Sequence, residues 1–113
     1  MTPHVTNLFT RLPDDLPEEV FETLVDSPHV RIERIVSLGH RSSENFWYDQ
    51  PQSEWVLLLK GSAVLEFEGE PPFDMQAGDA VLIHARRRHR VVQTAADEHT
   101  VWLAVHLEER DEG

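Results

Sequence analysis

Histidine and carboxylate side chains are the groups of this chain that could carry chemistry. The sequence has seven histidines and 21 acidic residues but no cysteine, which excludes disulfides, thiolate metal sites and cysteine nucleophiles. It has no glycine-rich phosphate loop, no Ser-His-Asp order and no helical metal motif. His106 ends a predicted strand, on the same face as Trp102 and Ala104. The opposite face, from Val101 to Val105, is evenly apolar and is predicted to pack on the core, so His106 either lines a ligand pocket or faces solvent.

The run of basic side chains over Arg86–Arg90 is a second chemical feature. In an acidic chain, such a run could attract an anionic substrate, such as a carboxylate or a phosphate. The alternative is a solvated corner whose arginines pair with nearby acidic residues. The sequence leaves both interpretations open.

The composition indicates one small acidic domain. The chain has 113 residues, 40% of them hydrophobic, and a formal net charge of −11. Phosphate backbones and anionic lipids require a basic surface, so we expect neither nucleic acid nor a membrane as a partner. We see no signal peptide in residues 1–11 and no apolar stretch long enough to span a bilayer, so we expect a cytoplasmic protein.

Residues 1–27 are predicted to form an N-terminal arm that contains a short helix. Pro17 is followed by Glu18 and Glu19, which suits the start of a helix because carboxylates stabilise the positive end of its dipole. The apolar residues between Val20 and Val25 have the spacing of one helical stripe.

Residues 28–113 are predicted to form an all-β domain. From His29 onward the hydrophobic pattern has a period of two, with seven or eight short strands and turn signals every eight to twelve residues. This pattern is typical of a sandwich or a barrel. Nothing after residue 27 suits a crossover helix, so a parallel α/β sheet is not expected.

Over roughly Val30 to Leu107 the chain resembles the cupin superfamily, in particular the small single-domain cupin 2 type. The stretch Glu54–Gly61 is similar in spacing and character to the second half of the first cupin motif. Gly78 and His89 stand at the offsets of the second motif. The His-x-His pair of the first motif is missing, since Trp47–Gln50 occupies its place. The resemblance implies a double-stranded β-helix, or jelly-roll, barrel.

The resemblance also implies where a metal would bind. Cupins hold a metal inside the barrel with histidines and a glutamate, and the matching ligands here are Glu54 and His89. Asp49 and Gln50 are the candidates to complete the set, and their oxygen atoms favour Mn, Fe or Zn. The candidate residues of the ligand pocket are Tyr48 and His106, and for an enzyme of this family one or the other could serve as an acid–base group.

Two functions of different class follow from the resemblance. One is a divalent-metal-binding cupin of unassigned activity, whose enzymatic relatives act on small organic acids or sugars. The other is a non-catalytic cupin that has lost the metal site and binds a small ligand or only dimerises. Small cupins usually pair through a sheet face and the N-terminal segment, so we expect a homodimer.

Overall fold

The computed structural model describes residues 2–108, which fold into eight β-strands. Residue 1 and residues 109–113, at the ends of the predicted arm and β domain, lie outside the described residues. The strands are β1 (Val20–Asp26), β2 (Val30–Ser37), β3 (Ser53–Lys60), β4 (Ser62–Phe67), β5 (Phe73–Gln76), β6 (Ala80–Ile83), β7 (His89–Thr94) and β8 (Thr100–Leu107).

The strands form two antiparallel sheets that face each other. The larger sheet has the order β1-β2-β8-β3-β6, and the smaller has the order β5-β4-β7. The core lies between them, because alternate side chains of each strand point inward. Its buried residues come from both sheets and are Val56, Leu58, Ala63, Leu65, Met75, Ile83 and Trp102. The predicted all-β class is confirmed.

The central strand β8 turns the opposite face to the core from the one predicted. Trp102 is 4% exposed and belongs to the core cluster between the sheets, and Ala104 on the same face is fully buried. On the other face Val101 is fully buried outside that cluster, whereas Leu103 and Val105 are only half-buried. The prediction that the evenly apolar face packs on the core was therefore wrong. The physical reason is that Trp102 buries the largest apolar surface of the strand, between the two sheets.

The predicted N-terminal helix was also wrong, because residues 20–26 form strand β1. Val20 to Asp26 pair antiparallel with β2, with a register irregularity between Thr23 and Val25. A helix of so few residues is marginal in water, whereas a strand gains ladder hydrogen bonds from the edge of β2. Among residues 2–108, no helix has the length and apolar character needed to cross a membrane.

Arg34 is one of the residues that attach the segment before β1 to the larger sheet. Arg34 of β2 is 4% exposed. Its Nη1 donates to the carbonyl oxygens of Leu8 and Thr10, at 3.1 and 2.7 Å. Its Nη2 pairs with Glu22 of β1. The predicted arm is therefore held to the sheet by charge-assisted hydrogen bonds.

Gly61 joins β3 to β4 where no side chain fits, and this gives a testable prediction. Its φ is +90°, and an added Cβ would lie 2.5 Å from Thr100 Oγ1. Gly69 has a similar φ of +87°, but nothing lies within 4 Å of its added Cβ. We expect Gly61→Ala to lower the free energy of unfolding by about 1–3 kcal/mol more than Gly69→Ala, measured by urea denaturation. Equal losses would show that the backbone conformation alone sets the cost.

Candidate functional site

Three neighbouring strands bring ionisable side chains to one level of the barrel interior. His106 of β8 lies opposite Arg31 of β2 on one side and opposite Glu54 of β3 on the other. Glu33 is two positions from Arg31, so it points to the same face. All four line one cavity of about 290 Å³. That volume is near the lower end of the range of about 300–1,000 Å³ for ligand pockets, so the cavity suits a small molecule.

The wall of this cavity combines apolar and polar side chains. The apolar part comes from both sheets and includes Ile35, Val56, Leu65, Ile83, Val91 and Trp102. Besides the four residues at the level of His106, the polar part includes Glu19, Tyr48, Gln50 and His89. An apolar pocket with a few convergent polar groups is the usual form of a small-molecule site.

His106 lies between two carboxylates. Its side chain is 5% exposed, and its Nε2 is 2.7 Å from Glu33 Oε1. Because an ionised carboxylate only accepts hydrogen bonds, Nε2 carries the proton and donates it. Its Nδ1 is 3.6 Å from Glu54 Oε2 and is buried without a hydrogen-bond partner. The unpaired Nδ1 thus faces a carboxylate across a distance longer than a hydrogen bond.

His89 lies on the smaller sheet and is fixed from two sides. Its Nδ1 is 2.9 Å from the carbonyl oxygen of Arg87 and donates to it, which leaves Nε2 as an acceptor. Its ring stacks on Tyr48, with centroids 5.4 Å apart and an interplanar angle of 25°. The two residues also form an isolated antiparallel β-bridge. The loop before β3 is thereby tied to β7, and Tyr48 closes one side of the cavity.

The remaining two residues of the sequence-predicted site are separated. Gln50 lines the cavity, whereas Asp49 does not. Asp49 is exposed, and its Oδ1 lies 3.4 Å from Nη1 of Arg86. Successive residues of an extended segment point to opposite sides, which places one of these neighbours inside and the other outside.

The basic run is a corner of ion pairs. Each of its arginines lies within 4 Å of an acidic side chain, and the pairs are Arg86–Asp49, Arg87–Glu70, Arg88–Glu68 and Arg90–Glu66. Of the two interpretations of this run, the structure agrees with a paired corner. The neighbouring carboxylates offset the positive charge that these guanidinium groups would present to an anionic substrate.

The donor set of the cavity does not fit a divalent metal. Within residues 2–108, no group of three or more His, Cys, Asp or Glu side chains is arranged to hold one. His106 directs both ring nitrogens at carboxylates, so of the two histidines that line the cavity only His89, through Nε2, has a ring nitrogen left for a metal. Catalytic metal sites commonly need three protein ligands.

Three ionisable lining residues were not singled out as site candidates from the sequence: Glu19, Arg31 and Glu33. The available signal was weak. Arg31 and Glu33 alternate with apolar residues on β2, the pattern of an ordinary half-exposed strand. Their inward direction follows from the pairing of β2 with β8, which no local pattern reveals.

Comparison with known proteins agrees with the barrel architecture. Residues 35–106 match the family model of the cupin domain. A solved structure from Ralstonia eutropha JMP134, a candidate mannose-6-phosphate isomerase, is 45% identical, with a TM-score of 0.92 over 95% of this chain and 100% of that one. No protein in the curated set matches this chain.

Two more distant structures share the fold. A cupin from Methanocaldococcus jannaschii with a double-stranded β-helix fold is 19% identical, with a TM-score of 0.69 over 96% of this chain and 93% of that one. A cupin superfamily protein from Desulfitobacterium hafniense DCB-2 is also 19% identical, with a TM-score of 0.69 over 82% and 80% of the two chains. At this identity the similarity supports the architecture alone.

Tyr48, the single tyrosine of the chain, gives a pH-dependent prediction for the site. Burial raises the pKa of its phenol above the usual value near 10, and the charges of Glu19 and Glu54 raise it further. The unfolded chain therefore loses this proton first, so the free energy of unfolding falls as pH rises above about 10. We expect the ultraviolet titration of phenolate to have a higher midpoint in the folded than in the denatured protein.

Glu54→Gln should lower that midpoint, because it removes one of the negative charges. Glu98→Gln, on the exposed surface, is the matched control and should leave it unchanged. A folded midpoint at or below that of the denatured chain would contradict the burial of Tyr48 against this cavity.

Proposed function

This chain belongs to the cupin family, and we propose that its barrel binds a small hydroxylated molecule of the sugar class in the cavity around Glu54 and His106. The proposal agrees with the alternative function expected from the sequence, a cupin whose cavity binds a small molecule without a metal.

The polar groups of the cavity suit hydroxyl groups. Glu19, Glu33 and Glu54 supply oxygen atoms that accept hydrogen bonds, and a hydroxyl both donates and accepts. A ligand without hydroxyl groups and with only negative charge would face three carboxylates, so the part of the ligand beside these residues is expected to be neutral and hydroxylated. The apolar wall near Trp102 can pack against the carbon side of a sugar ring.

The observation that carries the proposal is the missing hydrogen bond between His106 and Glu54. Nδ1 and Oε2 are 3.6 Å apart, and Nδ1 is buried without a hydrogen-bond partner. A buried polar atom left without a partner costs about 1–3 kcal/mol. Because Nδ1 is buried, a ligand hydroxyl reaches it only when the His106 and Glu54 side chains move apart; the hydroxyl would then bond to both groups and satisfy the nitrogen atom.

An isomerase activity is a second candidate. The relative from Ralstonia eutropha is a candidate mannose-6-phosphate isomerase at 45% identity. Interconversion of an aldose and a ketose removes a proton from one carbon atom and returns it to the neighbouring carbon. A second proton moves from the hydroxyl of the first carbon to the carbonyl oxygen of the other, so no oxidant or reductant is required. An imidazole and a carboxylate side by side, His106 and Glu54, suit such proton transfers.

The homodimer expected from the resemblance stays a prediction. The outer face of the larger sheet offers a place for it. Trp55 and Leu82 lie opposite each other in the β3–β6 register and are 37% and 44% exposed, and Val105 of β8 lies beside Trp55. We propose that a second copy of the chain packs on this apolar row.

Binding is tested by titrating the protein with D-mannose and mannose 6-phosphate in a calorimeter. We expect saturable binding to the wild-type chain. Glu54→Gln and His106→Gln should each weaken it about tenfold, since each removes a charge-assisted hydrogen bond. Formation of the ketose from mannose 6-phosphate, followed by NMR in the same samples, tests the isomerase candidate.

Two exposed substitutions serve as controls for that titration. His29→Gln and Glu98→Gln make the same chemical changes outside the cavity and should bind as the wild type does. Thermal unfolding of all variants separates lost binding from lost folding. Absence of binding, or binding that Glu54→Gln and His106→Gln leave unchanged, would refute the proposal.

A divalent metal is the competing occupant of the same cavity. Because the donor set does not fit one, we expect protein purified without added metal to contain Mn, Fe and Zn far below one ion per chain, by elemental analysis. His89→Ala and Glu54→Ala should leave that content unchanged. A near-stoichiometric metal that both substitutions abolish would contradict this and support the metal-binding cupin predicted from the sequence.

A further inference from the structure

We propose that Arg31 binds an anionic group at the end of the ligand, so that the barrel selects a hydroxylated acid or a sugar phosphate over the neutral sugar. This inference rests on the proposed function and adds the chemical class of the ligand. Arg31 acts as a specificity-determining residue at the cavity, outside the His106–Glu54 pair.

The guanidinium of Arg31 lacks a close acceptor. Its Nε is buried without a hydrogen-bond partner. Its nearest recorded acidic group is Glu33 Oε1, at 3.8 Å, too far for a hydrogen bond. That same oxygen atom already accepts from His106 Nε2 at 2.7 Å. Arg31 therefore lines the cavity with a guanidinium whose one described acidic neighbour is too far away for a hydrogen bond.

The other arginines near the cavity or its sheet are already engaged. Arg86, Arg87, Arg88 and Arg90 form ion pairs at the corner. Arg34 also has a buried Nε without a partner, but its Nη groups donate to Leu8, Thr10 and Glu22, on the outer face. Among the lining residues that the structure describes, Arg31 is the one arginine or lysine.

The exposures of the side chains orient such a ligand. The Arg31 side chain is 41% exposed, whereas those of His106 and Glu54 are 5% and 11% exposed. An anionic group beside Arg31 keeps part of its hydration and stays at the mouth of the cavity. The hydroxyl groups then extend inward to the His106–Glu54 pair, and the carboxylates inside oppose a reversed orientation.

The test compares three probes with similar hydroxyl groups and different charge: mannose, mannonate and mannose 6-phosphate. We expect the wild-type chain to bind one or both anions at least tenfold more tightly than mannose, by calorimetry. Arg31→Gln should weaken anion binding about tenfold to a hundredfold and leave mannose within about twofold. Arg31→Lys should restore part of the preference. The order of mannonate and mannose 6-phosphate identifies a carboxylate or a phosphate as the anion.

Arg88→Gln is the matched control, since it removes the same charge at the paired corner and should not change the preference. Equal affinity of the wild type for all three probes would overturn the role of Arg31 while leaving the proposed function intact. Equal weakening of all probes by Arg31→Gln would also overturn it, because Arg31 would then only maintain the cavity. If no probe binds, the proposed function fails, and this inference fails with it.

Discussion

The candidate site depends on the register in which β2, β8 and β3 pair. His106 lies between Glu33 and Glu54 because β8 is the shared neighbour of the two strands that carry them. A slip of one residue would turn every side chain of a strand to the other face. The same register places Trp102 in the core, so burial of its apolar surface also fixes the position of the charged groups. Packing and chemistry are thus set by one pairing pattern.

Burial of charge makes this arrangement energetically demanding. Charged groups lose hydration when they leave water, and they are tolerated when hydrogen bonds and opposite charges replace it. On the outer face, Arg34 meets most of this demand through its Nη groups, which donate to two carbonyl oxygens and Glu22 and fix the N-terminal segment, while its Nε has no hydrogen-bond partner. In the cavity the demand is met only in part, since His106 Nδ1 and Arg31 Nε have no partner. Incomplete pairing in a cavity of this size is what a ligand would complete.

The arginine run Arg86–Arg90 shows how a local sequence feature can suggest a role that the tertiary contacts do not support. Read along the chain, the run Arg86–Arg90 is the strongest basic feature of an acidic protein. In the fold it lies beside acidic residues of other segments, including Glu66 to Glu70 on and after β4. Arg31, an isolated arginine in an ordinary strand, instead reaches the cavity. Charge density in the sequence therefore did not identify the arginine with unused donors.

The all-β class, seven of the strands and the cupin family could be predicted from the sequence alone. Period-two patterning and glycine spacing are local properties of the chain. The sequence also named Glu54, His89, Gln50, Tyr48 and His106, which the fold brings to one cavity. Three features could be read only from the folded structure. Residues 20–26 form the strand β1, the Trp102 face of β8 packs on the core, and Asp49 points away from the cavity. These outcomes depend on pairing between segments distant in sequence. Because β2 pairs with β8, the side chains of Arg31, Glu33 and His106 all face the cavity. The local sequence pattern of either strand does not show this.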